Sequence, residues 1–426
     1  MEQQIIRNEK LNEQYVQYRH ESGLTILLYP MKGYSSSYAL FGTKLGSIDT
    51  AFKTDSDSEY TTVPEGVAHF LEHKLFESEE GDAFSLFAKT GASANAYTSF
   101  EKTCYLFSTT DNFDESLKSL LTFVQEPYFT QQTVEKEQGI IGQEIRMYDD
   151  DPGWRVFFNL LQALYVNNPV RIDIAGTVES IAQIDADLLY KCYNTFYNLN
   201  NMVLAIAGNF EIEPTLKIIQ ENLKVKDKVQ VQHKLAEEPN EIASERTVQA
   251  LSVSVPLFHI GFKEQVREGA ELLRVQLACE ILLDILAGEG SRFYRTMYDA
   301  GLINQTFGCE VFCGRGYFAN IFAGESKKPD EVFEKLKEEI RRLRQEGIPE
   351  ADFSRAKKSL YGRLVRSFNN VETVANTLVN CYFAEVGIYD SLQIIEDMTR
   401  ADLTELLKTV LQEDKAAISI IEPVQE

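Results

Sequence analysis

"ADLLYKCYNTFYNLNNMVLAIAG", residues 186–208, runs an amphipathic helix pattern into a short, wholly apolar strand. Near the end of the chain "ADLTELLKTVLQEDKAAISII", residues 401–421, does the same. Ala401-Asp402-Leu403 opens the second stretch as Ala186-Asp187-Leu188 opens the first, and at that same offset Met202-Val203-Leu204 falls on Ala417-Ile418-Ser419. Working outward, other signals recur in the same order. Leu117, Leu120, Leu121 and Val124 form an i, i+3, i+4, i+7 stripe after Asp114, and Val332, Leu336, Ile340 and Leu343 form another after Pro329-Asp330, with Gly347 as a C-cap. "GDAFSLFAKTGA" from Gly81 is similar to "GSRFYRTMYDAGL" from Gly290. A constant order of signals over such distances points to an internal duplication.

Each half opens on alternating strands ("GLTILLYP" and "SYALFGTKLGSID", then "VQALSVSVPLFHIGF"), passes through helices and a strand pair, and closes with helices and one strand. Strands and helices without regular βα alternation predict an α+β fold: two homologous domains, each a mostly antiparallel sheet with helices packed on one face. The polar, aperiodic "KVKDKVQVQHKLAEEPNEIASERT" reads as a linker over 224–247, between an N-terminal domain over 1–223 and a C-terminal domain over 248–426. A chain of 426 residues is also too long for one ordinary core.

Composition narrows the function. With 44% hydrophobic and 25% charged residues the chain is globular, and its net charge of −23 argues against nucleic acid as a partner, because a phosphate backbone would be repelled. The polar start, "MEQQIIRNEKLNEQYVQY", lacks a signal-peptide layout, and apolar runs such as "MVLAIAG" are strand-sized, so no membrane span and a cytoplasmic location are expected. Six cysteines without a framework spacing fit reduced thiols; Cys309 and Cys313 sit in an alternating strand pattern.

"HFLEH", residues 69–73, spends two of the five histidines four positions apart. In "VPEGVAHFLEHKLFES" they read as a helix with Pro64 and Glu65 in its first turn. On a helix, His69 and His73 share a face and can converge on one metal ion, with the Glu72 carboxylate beside it. This is the inverted order H-x-x-E-H, in which two neutral imidazoles bind metal and a free carboxylate takes a proton from water. A third ligand is available in "TVEKEQGIIGQEIRMYDDDP", where Glu137 and Glu144 lie seven apart on one face of a helix that also carries Ile140, Ile141 and Ile145. Either glutamate could bind metal while the other orients a histidine N–H, and spacing does not choose between them. In the second half the matching stretch, "ACEILLDILAGEGS", has no histidine.

HFLEH, the downstream E-x6-E and a degenerate second half together resemble the pitrilysin/insulinase family of zinc metallopeptidases, which includes the mitochondrial processing peptidase β subunit. The resemblance covers essentially the whole chain. It implies one zinc ion (Zn2+) per chain on His69, His73 and Glu144, Glu72 as general base, and Glu137 supporting a ligand from behind. It implies further that "GASANAYTSFEKT", from Gly91, is an edge strand holding extended peptide by strand addition through Asn95, Ala96, Tyr97 and Thr98. The half-length size resembles the bacterial branch, in which two such chains form a clamshell, and within it the Bacillus-type peptidases, one of them associated with maturation of subtilosin-type bacteriocins. The activity implied is endopeptidase cleavage of short or unfolded peptides, a bacteriocin precursor or leader peptide among them. Active members also use an Arg and a Tyr on the substrate carbonyl. Here "CGRGYFANIFAGESKK" offers only Arg315 and Tyr317, at the wrong spacing and in an expected turn. The implied partner is a homologous subunit that lacks HxxEH and provides that pair, or else a second copy in a homodimer. The alternatives are a partner-dependent zinc-binding subunit, a non-catalytic peptide-binding subunit, or a zinc hydrolase of another amide.

Overall fold

Residues 2–79 and 81–424 are described by the computed structural model. They form two compact units. The first comprises the chain up to Ile145, Asp173–Leu235 and Val365–Ile388; the second comprises Arg146–Ile172, Ala236–Leu364 and the chain from Tyr389.

In the first unit the principal strands are β1 (Glu2–Asn8), β2 (Glu13–Arg19), β3 (Thr25–Pro30), β4 (Ser37–Thr43), β5 (Ser93–Thr98), β6 (Thr103–Thr109) and β7 (Met202–Gly208). Among the described residues they make one seven-stranded sheet in the order β1-β2-β3-β7-β4-β6-β5. The β7–β3 pair is parallel; every other pairing in this sheet is antiparallel. The second unit holds β8 (Arg246–Leu251), β9 (Leu257–Lys263), β10 (Gly308–Gly314), β11 (Tyr317–Glu325) and β12 (Ala416–Pro423) in the order β8-β12-β9-β11-β10, with β8 and β12 parallel. That order repeats β3-β7-β4-β6-β5 strand for strand, so the duplication legible in sequence is a duplication of topology.

The all-apolar β7 is buried along its whole length because both faces of its sheet are covered. Side chains alternate across a strand, so one set (Ala39, Phe41, Leu204, Ile206) joins the core beneath the unit's main helices. The other set meets the helix Val371–Phe383: a Cβ on Gly42 would stand 3.4 Å from Val379 Cγ1. The second unit does the same with the helix Pro152–Leu164, where a Cβ on Gly261 would stand 2.7 Å from Leu164 Cδ1. Each sheet thus carries the predicted helical layer on one face and a single helix on the other. Each of these single helices comes from the opposite half of the sequence, so the compact units exchange segments relative to a contiguous division at 224–247. Burying Val374, Leu378 and Val379 alone is worth about 1.5–3 kcal/mol per side chain, enough to hold the exchanged helix in place.

The segment read as a linker has structure at both ends. Val231–His233 pairs with Ala51–Thr54 in the first unit, and His233 Nδ1 lies 2.7 Å from Asp49 Oδ1. In the second unit Glu238 accepts the backbone N–H groups of Val166, Asn167 and Asn168, while Lys263 Nζ donates to the carbonyls of Pro239 and Glu241. The amphipathic stripes are placed as their spacing predicts. Phe113–Gln125 buries Leu117, Leu120, Leu121 and Val124, and Pro329–Glu346 buries Val332, Leu336, Ile340 and Leu343 before Gly347 ends it at φ +81°.

Candidate metal centre

The HFLEH segment lies in the helix Val67–Leu75, which buries Val67, Ala68, Phe70, Leu71 and Leu75. It starts later than its sequence suggests: Pro64 and Glu65 precede it, and Gly66 caps it at φ +88°. Only glycine fits there, since a Cβ would stand 2.3 Å from the Ala175 carbonyl oxygen, in the left-handed region besides. Ser180 Oγ donates to the Glu65 carbonyl at 2.9 Å. These contacts fix the direction in which the helix leaves the loop.

With the apolar stripe inward, His69 and His73 project together, their ring centroids 4.5 Å apart. The helix Gln131–Asp149 buries Val134, Ile141 and Ile145, and presents Glu137 and Glu144 from the face between. Ile140, which the sequence placed beside Ile141 and Ile145, is instead 45% exposed. Glu144 lies opposite both imidazoles, with Oε1 3.7 Å from His69 Nε2 and Oε2 3.5 Å from His73 Nε2. Glu137 sits behind, Oε1 2.9 Å from His73 Nδ1. A proton on Nδ1, donated to Glu137, leaves the His73 Nε2 lone pair directed at Glu144. His69 Nδ1 is buried without a hydrogen-bond partner among the described residues.

The two imidazoles and Glu144 form the one group of metal-capable donors found among the described residues, with ligand atoms within 4.8 Å of one another. Zinc–ligand bonds of about 2.0–2.2 Å at tetrahedral angles put neighbouring donors roughly 3.3–3.6 Å apart; the 3.5 Å separation falls in that span, and the 3.7 Å one, to the other Glu144 oxygen, lies just above it. Two nitrogens and one carboxylate oxygen also match the donor set of zinc sites that keep a fourth position open. Electrostatics favour the neutral form at His69 and the charged form at His73. Burial, with the charge of His73 adding to it, pushes His69 down to about 3, so it is the neutral imidazole a metal requires. Burial opposes charging His73, but the hydrogen bond to Glu137 and the nearby carboxylates of Glu144 and Glu72 outweigh it and raise its pKa.

Glu72 stays off this donor set. Burial raises its pKa, against the hydroxyl of Thr98, whose Oγ1 donates to Glu72 Oε2 at 2.6 Å. Thr98 ends β5, the outermost strand of the first sheet, which pairs with β6 on one side. The four residues expected to hold substrate are not equivalent. Ala96 packs against the core, Thr98 turns to Glu72, and Tyr97 points to the other face, where its hydroxyl donates to Asn376 Oδ1 at 2.9 Å. Asn95 Oδ1 accepts the Ala96 N–H at 2.9 Å. Thr98 is therefore positioned for a part its sequence context did not suggest, and Asn376, 279 positions from Tyr97, gave no signal at all.

In the second unit Tyr317 opens β11, buried and packed on Phe312 with ring centroids 4.8 Å apart; Arg315 lies in the turn before it. Cys309 and Cys313 are half-buried thiols on β10 and form no disulfide.

Comparison with known proteins now bears on this arrangement. A family profile described as insulinase (peptidase family M16) matches residues 56–178, and one described as the peptidase M16 inactive domain matches residues 183–360. An uncharacterised zinc protease, YmfH of Bacillus subtilis, is 38% identical over 423 residues, covering 98% of this chain and 99% of its own. The crystal structure of an M16-like peptidase from Alicyclobacillus acidocaldarius superposes with a TM-score of 0.94 at 35% identity, covering 98% of this chain and all of that one. The periplasmic protease PqqL of Escherichia coli shares the fold alone, with a TM-score of 0.75 at 16% identity over 98% of this chain but 48% of its own. With one profile on each half and a relative matched from end to end, the chain belongs to the insulinase family of peptidases, family M16.

Proposed function

We propose that the chain is a zinc endopeptidase for short or unfolded peptides, holding one Zn2+ on His69, His73 and Glu144. The observation that carries the reading is the convergence of these three donors from two helices, with Glu137 behind one imidazole and Glu72 beside them but uncommitted to the donor set. Bound there, zinc would supply Lewis acidity to a scissile carbonyl and to water. Glu72 accepts the water's proton as the oxygen attacks the carbonyl carbon, then passes it to the departing amine nitrogen. The free edge of β5 offers main-chain groups to an extended peptide, and Asn95 and Ala96 stand at that edge. A bacteriocin precursor or leader peptide, short and extended, is one substrate of this class.

A partner-dependent version has its own support. Tyr317 is buried against Phe312, so this chain's own Arg315/Tyr317 stretch is poorly placed to bind a carbonyl oxygen. PqqL is about twice the length of this chain, which matches the idea that a second, homologous chain supplies an Arg/Tyr pair, whether a subunit lacking HxxEH or another copy. No helix of the described residues is long and apolar enough to cross a membrane. A cytoplasmic setting belongs to the proposal, in keeping with six cysteines that form no disulfide.

The test is cleavage of an unstructured quenched-fluorescent peptide library, with zinc measured on the same sample. Chelator-sensitive cleavage is expected, with Glu72→Gln keeping zinc and losing cleavage and Glu144→Gln losing zinc. Zinc binding without cleavage would send the search to the partner chain. Cleavage by Glu72→Gln would remove that residue as the base.

A further inference from the structure

We propose that Thr98 is the positioning residue for Glu72, fixing which carboxylate oxygen handles the proton. The inference rests on the reading of Glu72 as the general base. Thr98 Oγ1 donates to Glu72 Oε2 at 2.6 Å, a short bond to an oxygen acceptor. Thr103 Oγ1 packs 3.4 Å behind this hydroxyl with its own hydrogen donated to the Leu45 carbonyl at 2.9 Å, so it leaves the Thr98 hydrogen to Glu72. Thr103 is buried and stands directly opposite Thr98 in the β5–β6 pairing, so the threonine pair is set by strand register and not by loose side chains.

The chemical consequence follows from a carboxylate's two oxygens. Oε2 spends lone-pair density on Thr98, so a proton arriving at Glu72 goes to Oε1. The carboxylate plane is also held against rotation, since the Thr98 backbone N–H interacts with Glu72 beside the hydroxyl. During hydrolysis one proton leaves water for Oε1 as the C–O bond forms, and the same proton moves to the amine nitrogen as the C–N bond breaks. Nothing else is consumed. A base that must receive and return a proton at one atom gains from being unable to turn.

Thr98 also belongs to β5, the strand with the open edge. Its neighbour Tyr97 is tied on the opposite face to Asn376 Oδ1 at 2.9 Å. The strand that would receive peptide and the carboxylate that would act on it are therefore aligned by one residue.

The experiment compares Thr98→Val, which keeps the β-branch and deletes the hydroxyl, with Thr98→Ser, which keeps the hydroxyl. Glu72→Gln and the double variant Thr98→Val/Glu72→Gln complete the set. Zinc content, kcat, KM and a crystal structure are measured for each. The expected result for Thr98→Val is full zinc, KM within about twofold, kcat lowered about tenfold to hundredfold, and a Glu72 carboxylate rotated or split between orientations. Thr98→Ser should stay within about threefold of the parent, and Thr98→Val should cost nothing further once Glu72 is already Gln. The idea is overturned by an unmoved Glu72 carboxylate in Thr98→Val, by a serine variant as impaired as the valine one, or by a loss confined to KM. The crystal structures decide the point even where the chain needs a partner to cleave. An active Glu72→Gln would sink the general-base reading itself, whereas an inert Glu72→Gln beside a full-rate Thr98→Val would sink only the role given to Thr98.

Discussion

Glu137→Ala isolates what the residue behind His73 contributes. In the parent, Glu137 Oε1 and His73 Nδ1 are 2.9 Å apart, with the Glu137 side chain 13% exposed and the His73 side chain 26% exposed. The bond selects the tautomer with its lone pair on Nε2 and stops the ring from swinging out of line with Glu144. Removing such a support weakens metal binding by roughly 10- to 100-fold. At 1.36 kcal/mol per factor of ten, that is about 1.4–2.7 kcal/mol, within the range of a hydrogen bond to a charged group. Glu72 and Thr98 are untouched, so turnover per bound zinc should stay within a few-fold of the parent. The assay is a competition titration of zinc against a chromophoric chelator, followed by peptide cleavage at saturating zinc. Unchanged zinc affinity would refute the support role. Normal affinity with turnover lost at saturation would point instead to a part in the chemistry.

Two further outcomes test the scaffold. Gly66→Ala forces a Cβ to within 2.3 Å of the Ala175 carbonyl at φ +88°, and should cost about 3 kcal/mol in urea unfolding and lower zinc affinity by displacing the HFLEH helix. Unaltered stability would mean that the loop at Ala175 yields freely. In the second unit burial pushes Glu264 up from 4.5 to about 7, against the Leu411 N–H, the Asn320 amide and the charges of Arg267 and Lys415. The folded chain then binds more protons than the unfolded one between those values, so this group's contribution is full below pH 4.5 and is lost as pH rises through about 7. Relative to Glu264→Gln, the parent should lose roughly 3 kcal/mol between pH 4.5 and pH 8, and parallel stability–pH curves would refute the assignment.

The candidate site was largely legible because it rests on short helical periods. The i, i+4 spacing of His69 and His73 and the i, i+7 spacing of Glu137 and Glu144 each place side chains on a common face whatever the rest of the fold does. Spacing left the tasks of the two glutamates open and the family resemblance implied them; the helix crossing brings Glu144, not Glu137, opposite both Nε2 atoms. The start of the HFLEH helix was misjudged because Pro64 and Glu65 are good first-turn residues, and the contact of Gly66 with Ala175 outweighs local preference. Thr98 lies 26 positions from Glu72, on a strand whose alternation says only that it faces inward. For the fold, the duplicated stripes could be read because amphipathic helices carry their burial pattern openly. The unbroken apolar run of β7 fits cover on both faces, where the sequence reading expected helices on one. Nothing in "VETVANTLVNCYF" says which sheet that helix will cover.

The exchanged helices set a schedule for synthesis. A chain leaves the ribosome from its N-terminus, and domains ordinarily fold as each is completed. Here the reverse face of β4 and β7 stays bare until Val371–Phe383 has emerged, and Tyr97 has no Asn376 to meet before then. The half that carries HFLEH is written first and finished late. A nascent chain that has made every candidate ligand still lacks the completed sheet beneath their helices, which delays assembly of the candidate metal centre until nearly the whole molecule exists.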